Sequence, residues 1–225
     1  MRIYAHRGAS AIEPENTLRA FKRALDLGAD GIELDVQATA DRVPVIIHDR
    51  DLSRTTNGTG HIDELSFEEV QALDAGLTER IPTLHDVLEL VSDRIHLDIE
   101  IKQAGIEREI MAVLARCPEI QFAISSFDWR ILETLRGLSS DVELWLLTVV
   151  VSDALLETAA RIQASAVALY APSYTVASAA RLRDAGLNVV IWTVNDPAEA
   201  KRVRDLGAWG LCTDVPETIT TIGDA

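Results

Sequence analysis

The chain has 225 residues, 48% of them hydrophobic, enough to bury a sizeable core in one domain expected to span 1–225. Its formal net charge of −15 argues against nucleic acid as a partner, and no apolar run approaches the roughly 20 residues that cross a bilayer, which argues against stable membrane insertion. Two cysteines without metal-like spacing, Cys117 and Cys212, and an N-terminus that starts on a strand rather than a signal peptide predict a cytoplasmic protein with reduced thiols.

The first predicted strand, Arg2–Ala5, leads into "AHRGAS", which sets His6 and Arg7 at its C-terminal end and lets Gly8 turn the backbone tightly. A helix follows in "PENTLRAFKRALDLG", with Leu18, Phe21 and Leu25 on one face and Gly28 as its stop. The second strand, Gly31–Val36, alternates Ile32, Leu34 and Val36 with Glu33 and Asp35, so two carboxylates share a face. "VPVIIHD" is also strand-like, but its connection is too short for a parallel crossover and must fold back as a hairpin. A turn centred on Ala40–Asp41 pairs Val36 with Val45 and sets His48 opposite Glu33; without an Asn-Gly turn, a slip of one residue stays open.

An insertion at about 51–80 comes next, with a turn cluster from Thr55 to Gly60 and a short helix opened by the capping box Ser66…Glu69. At the mouth of a barrel such a segment is expected to form a lid or substrate wall. "TLHDVLELVSD", capped by Thr83, resumes the helical pattern and leads to a third strand, Ile95–Ile101. There Asp98, Glu100 and Lys102 share one face and Leu97, Ile99 and Ile101 the other. Five further strands are predicted at Gln121–Ser125, Val142–Leu147, Ala166–Leu169, Asn188–Thr193 and Trp209–Cys212. Between them lie helices such as "DWRILETLRG", from cap Asp128 to stop Gly137, and "NDPAEAKRVRDLG", from cap Asp196 with Pro197 at its first position to Gly207. The turn "LGADG" at Leu27–Gly31 recurs as "LGAWG" at Leu206–Gly210. Eight apolar strands alternating with helices predict an α/β fold, a closed (β/α)8 TIM barrel with a small insertion after the second strand and its hairpin; an open doubly wound sheet is the competitor.

In a barrel the polar faces point inward, so Glu33, Asp35 and Glu100 converge at the top. Three carboxylates suit a hard divalent metal, Ca2+ or Mg2+, better than zinc. His6 and His48 flank that centre and suit general acid–base work. Arg7 can grip phosphate through its planar fork and Lys102 adds a point charge. Together these residues describe phosphodiester cleavage. Each has a blander reading: a salt-bridged Glu-x-Asp face, a core histidine, a buried Glu100–Lys102 pair. His61, His85 and His96 lack such company and read as structural or surface residues. Trp192 and Phe127, both at strand ends, divide between core and ligand contact.

The motifs "HRGASAIEPENTLRAF", "GIELDVQATADRVPVIIHD", "LSRTTNGTGHIDELSFEEVQALDAG", "LDIEIK", "SSFD", "WTVND" and "GLCTDVP", in this order, make the chain resemble the glycerophosphodiester phosphodiesterases over nearly its whole length. The resemblance implies a metal-dependent barrel that hydrolyses small-molecule glycerophosphodiesters to sn-glycerol 3-phosphate and an alcohol. Carried over by position, it implies Glu33, Asp35 and Glu100 as metal ligands, His6 and His48 as catalytic residues, and Arg7 and Lys102 as phosphate contacts. Asp98 departs from the family's pattern, where a neutral polar residue is expected. A lysophospholipase D acting on lysolipids and a binding barrel without turnover are the alternatives. The sequence assigns no oligomeric state.

Overall fold

Period-two alternation of apolar and polar side chains decides the architecture. In the computed structural model, which describes residues 1–219, nine strands form: β1 (Arg2–His6), β2 (Gly31–Ala38), β3 (Pro44–Ile46), β4 (His96–Ile101), β5 (Phe122–Ser126), β6 (Glu143–Thr148), β7 (Ala166–Tyr170), β8 (Asn188–Trp192) and β9 (Gly210–Thr213). Residues 220–225 of the expected domain lie outside the described residues. All but β3 run parallel, in the order β1-β9-β8-β7-β6-β5-β4-β2, and β1 also pairs with β2, so the sheet closes on itself. Closure settles the choice between barrel and open sheet: the chain folds as the expected (β/α)8 TIM barrel.

The apolar faces carry Ile32, Leu34, Val36, Leu97, Ile99 and Ile101 into the core shared with the surrounding helices. These helices are α1 (Leu18–Asp26), α2 (Phe67–Gln71), α3 (Leu84–Val91), α4 (Glu107–Leu114), α5 (Trp129–Leu138), α6 (Asp153–Arg161), α7 (Val176–Asp184), α8 (Pro197–Asp205) and α9 (Pro216–Ile219). The expected caps form: Thr83, Asp128 and Asp196 each accept a backbone N–H of the first turn, and Ser66 and Glu69 close their box. Gly137 does not end α5, which runs on to Leu138 and is capped by Ser139.

The two repeated glycine turns are Schellman closures. After α1, Gly28 N–H donates to Leu25 O and Ala29 N–H to Ala24 O; after α8, Gly207 and Ala208 repeat the pattern with Arg204 and Val203. Gly186 closes α7 in the same way, and Gln163, with φ 51°, closes α6 in a conformation that favours glycine.

The hairpin register differs from expectation by one residue. Val36 pairs with Ile46, Gln37 with Val45 and Ala38 with Pro44. The reason is a three-residue loop, Ala40-Asp41-Arg42: Arg42 takes φ 64° and donates its N–H to Thr39 O, and Thr39 N–H donates to Val43 O. A three-residue loop that ends in a left-handed residue adds the extra position that shifts the pairing.

The segment 51–80 packs around a small apolar cluster of its own. Leu52, Ile62, Val70 and Ala75 form a small core with Val45, Ile47 and Ile81.

Side chains fill the bottom of the barrel. Tyr4 and Trp145 are fully buried with rings 5.5 Å apart, His96 stacks on Trp145, and the Tyr4 hydroxyl pairs with His96 Nδ1 at 3.0 Å. Gly31 makes room: a Cβ there would lie 2.2 Å from the Tyr4 ring.

Two stability tests follow from this packing. Gln163→Gly is expected to raise unfolding free energy by about 1 kcal/mol, seen as a melting increase of a few degrees, because it removes left-handed strain from an exposed residue. Burial lowers the His96 imidazole to about 4. Unfolding restores a value near 6.5, so the unfolded chain binds more protons between these limits and stability attributable to His96 is lost as pH falls through that window. The difference in unfolding free energy between wild type and His96→Phe should therefore shrink by roughly 3 kcal/mol from pH 7 to pH 4 in denaturant titrations. A difference that does not vary with pH would contradict the burial argument.

Candidate active site

At the end of β1 the backbone turns through Arg7, with φ 56°, and Gly8, with φ 83°. A Cβ on Gly8 would lie 2.7 Å from the Ala20 backbone, so α1 can approach only a glycine here. The turn holds the Arg7 side chain over the barrel mouth, 3.3 Å from Asp35 and 2.9 Å from Glu15.

The polar faces of β2 and β4 point inward. Their parallel register sets Glu33 beside Asp98 and Asp35 beside Glu100, while His6 of β1 lies beside Glu33. All four carboxyl groups are buried. One oxygen from each of Glu33, Asp35 and Glu100 falls within 4.8 Å of the other two. Burial, reinforced by Asp35 and Glu100, pushes the Glu33 carboxyl well above its ordinary range, and burial above all raises Glu100 to about 7. Asp35 moves the other way: burial opposes its ionisation, but Lys102 and Arg7 outweigh it. Lys102 Nζ lies 3.1 Å from Asp35 and 2.6 Å from Glu100, and Asn16 Nδ2 donates to Asp35 Oδ2 at 2.8 Å. Asp35 Oδ1 is buried, with the Lys102 ammonium as its close partner. Hard oxygen donors gathered this closely, two of them driven toward neutrality for want of positive charge, fit a hard divalent cation.

Two imidazoles reach the same cavity. His6 Nδ1 lies 2.6 Å from Asp214 Oδ1, and its Nε2 is 3.9 Å from Glu33. His48 Nδ1 lies 2.6 Å from Asp49 Oδ1. Nδ1–H held by a carboxylate leaves Nε2 of each ring available for proton transfer. Burial works against the Asp214 charge, but hydrogen bonds from His6 and Asn195 hold its carboxyl down at about 2. Arg54 chiefly holds Asp49 at about 2. Burial lowers the His48 imidazole even with Asp35 nearby.

The cavity has two unlike halves. His6, Arg7, Glu33, His48, Glu100 and Lys102 line one half; Phe127, Leu147, Ala168, Val190, Trp192 and Cys212 line the other. Trp192 is fixed by an Nε1–H bond to Ala168 O at 3.0 Å and meets the Phe127 ring edge-on at 5.5 Å.

A model of the Glycerophosphoryl diester phosphodiesterase family matches residues 6–218. The chain belongs to this family, and it is a phosphoric diester hydrolase. It is 36% identical over 234 residues to a glycerophosphodiester phosphodiesterase of Caldanaerobacter subterraneus, covering 98% of this chain and 96% of that one. It is 34% identical over 241 residues to a glycerophosphodiester phosphodiesterase of Bacillus altitudinis, covering 98% and 97%. Among solved structures, an Oleispira antarctica phosphodiesterase in complex with the product sn-glycerol-3-phosphate superimposes with a TM-score of 0.95 at 29% identity, over 100% of this chain and 97% of that one. A glycerophosphodiester phosphodiesterase of Agrobacterium tumefaciens gives 0.87 at 27% identity, over 98% and 99%.

Against this family background the sequence-predicted residues distribute as follows. Eight of the nine line one cavity; the ninth, Asp35, lies behind it, in reach of Glu33 and Glu100. His48 arrives differently from the expectation. After Ile47 N–H donates to Asp35 O at 3.0 Å the chain leaves the ladder, so His48 does not pair with Glu33; Gln37 Nε2 holds the departing segment through Ile47 O and His48 O. No described residue of 51–80 lines the cavity, so the insertion is not its wall. Asp98 lies on the cavity floor, raised to about 7 chiefly by burial, and neither its Oδ1 nor Ser125 Oγ has a hydrogen-bond partner. His85 pairs with Glu89 on the surface, and His96 belongs to the barrel bottom. His61 has more company than its sequence suggested, with Asp63 and Glu64 close by, but Arg50 holds both acids.

Sequence reasoning missed Asp214, Asp49, Asn16, Glu15 and Gln37. Asp49 follows His48 directly and Asp214 follows the last strand at the same rim, which are usable signals. Asn16 and Glu15, in "PENT", reach the site only through the β1–α1 turn.

The crowding of acids yields a prediction. In the presence of chelator, Glu33→Gln is expected to raise unfolding free energy by about 1–2 kcal/mol, because it removes one of several buried like charges. The same variant should lose most of the melting increase that calcium or magnesium gives wild type. Thermal melts with and without each cation check both.

Proposed function

We propose that the protein hydrolyses glycerophosphodiesters to sn-glycerol 3-phosphate and an alcohol, with His6 and His48 as its acid–base pair. The observation that carries this reading is the pairing of two carboxylate-backed imidazoles with an acid cluster and two cations in one pocket. Glu33, Asp35 and Glu100 would hold Ca2+ or Mg2+. When bound, the ion supplies positive charge that polarises a phosphoryl oxygen and offsets charge gained in the transition state.

The remaining chemistry belongs to the chain. Arg7 and Lys102 bind the anionic phosphate oxygens and orient the ester. Nε2 of one histidine takes a proton from the attacking group, water or the glycerol 2-hydroxyl, and Nε2 of the other gives a proton to the leaving alkoxide; attack by the 2-hydroxyl gives a cyclic phosphate that water then opens to the phosphomonoester. Asp214 and Asp49 keep both rings in the tautomer this exchange needs and stabilise each imidazolium. Phe127 and Trp192 face the carbon part of the substrate and exclude water from that side. The net charge of −15 leaves nucleic acid outside the substrate range. Among the described residues no helix is long and apolar enough to cross a membrane. The two unbridged cysteines suit a reducing compartment, and on that ground we place the protein in the cytoplasm, working as one domain over 1–225.

A second reading keeps the site and changes the substrate to a lysophospholipid, acylated on its glycerol and cleaved in the manner of a lysophospholipase D. The observation favouring it is an exposed apolar rim at Phe127, Val149, Val150 and Tyr170.

One assay separates these readings: glycerophosphocholine and a lysophosphatidylcholine incubated in parallel with calcium or magnesium. Release of sn-glycerol 3-phosphate from the first is expected; turnover of the lysolipid alone would favour the second. His6→Ala and His48→Ala should each cut kcat by about 100-fold to 10,000-fold, with circular dichroism and melting unchanged. Near-normal rates in either variant remove that residue from its role.

A further inference from the structure

Arg54 lies in the insertion and is half exposed, in a setting where ion pairs ordinarily contribute little. Its connections set it apart. Every guanidinium nitrogen is engaged: Nη1 donates to Glu15 Oε2 at 2.8 Å, Nη2 to Glu15 Oε1 at 2.8 Å, and Nε to Asp49 Oδ2. Planar, two-point pairing of this kind fixes orientation as well as distance. Both partners are less exposed than Arg54 and are shared with the cavity. Glu15 Oε1 also accepts from Arg7 Nη1 at 2.9 Å, and Asp49 Oδ1 faces His48 Nδ1 at 2.6 Å.

The insertion is built to hold this side chain. Leu52 is fully buried in the small core of the insertion, and Thr56 closes the turn through hydrogen bonds from its N–H and its hydroxyl to Leu52 O. Arg54 sits inside that turn. Without it, the carboxylates of Glu15 and Asp49 would face each other with their shared cation gone, free to leave Arg7 and His48.

We infer that Arg54 is a positioning residue for the reaction: from the insertion it fixes Glu15 and Asp49, and through them the Arg7 guanidinium and the His48 imidazole. The insertion thus acts as a buttress behind the site. This inference rests on the roles proposed above for Arg7 and His48.

The test is a steady-state series on glycerophosphocholine, with the cation that supports wild-type turnover at saturation. Arg54→Ala is expected to lower kcat/KM by about 10-fold to 100-fold, through a fall in kcat and a rise in KM together. Asp49→Asn should act mainly on kcat and Glu15→Gln mainly on KM. Because Arg54 reaches His48 only through Asp49, the double variant Arg54→Ala/Asp49→Asn should have a kcat within about threefold of Asp49→Asn alone. Added methylguanidinium should restore part of the Arg54→Ala rate. If Arg54→Ala fails to fold, Arg54→Lys keeps the charge but not the two-point fork, and should fall between wild type and a strong loss, again without adding to Asp49→Asn. Rates within twofold of wild type in a folded Arg54→Ala or Arg54→Lys, or losses that multiply independently with Asp49→Asn, would overturn the inference. Failure of the underlying roles looks different: Arg7→Ala and His48→Ala would then turn over normally.

Discussion

Like charge buried inside a barrel is the constraint on which the site depends. Glu33, Asp35, Asp98 and Glu100 crowd one end of the interior, faced among the described residues by two cations, Arg7 and Lys102. Two carboxylates within 4.8 Å repel by about 3–4 kcal/mol at an effective dielectric of 20. No rim salt bridge offsets repulsion of that size. The available responses are protonation, seen in the raised Glu33, Asp98 and Glu100 carboxyl groups, and cation binding, for which the oxygens are already gathered. The site is kept in a state that a hard cation relieves, and stability is the quantity given up for it.

Barrel closure makes such convergence possible. His6 and Asp214 approach across the seam between β1 and β9, whereas Glu33 and Asp98 meet across β2 and β4. In a sheet opened between β1 and β9 these strands would be remote edges, and the His6–Asp214 pair could not form. Closure also explains why the cavity has unlike halves. β1, β2 and β4 send acids and a histidine inward, with Arg7 and Lys102 just past their ends; β6 to β9 send Leu147, Ala168, Val190 and Cys212. An ionic ester with a carbon skeleton meets charge on one side and dry surface on the other.

How much of this could be read in the sequence follows from the range of the interactions. Strand faces, helix caps and the glycine stops of α1 and α8 are set by neighbours within a few residues, so alternation and capping residues disclose them. Alternation also discloses which side chains enter the barrel, among them Glu33, Asp35, Asp98 and Glu100. The hairpin register was not legible, because Arg42 taking a left-handed conformation depends on the whole Thr39–Val43 loop and not on any glycine. Gly137 misled for a related reason: with no tight turn required after α5, it is tolerated within the last turn. The supporting shell was least legible. Asp214 lies 208 residues from His6 in the chain, and Glu15 lies 39 from Arg54; pairs at that separation leave no local periodicity to read.

The two ends of the barrel are also mechanically linked along single strands. Tyr4 and His6 lie on the same inward face of β1, and His96, Asp98 and Glu100 on that of β4. The lower member of each row is locked in the aromatic packing with Trp145, where Gly31 admits the Tyr4 ring and His96 is held by the Tyr4 hydroxyl. A strand that cannot slide at its base presents its upper residues at a fixed height. The position of His6 relative to Glu33, and of Glu100 relative to Asp35, is therefore decided partly by neutral packing at the opposite end. There, burial adds stability without bringing like charges together. The acids at the mouth can remain close to one another because the aromatic end does not yield to their repulsion.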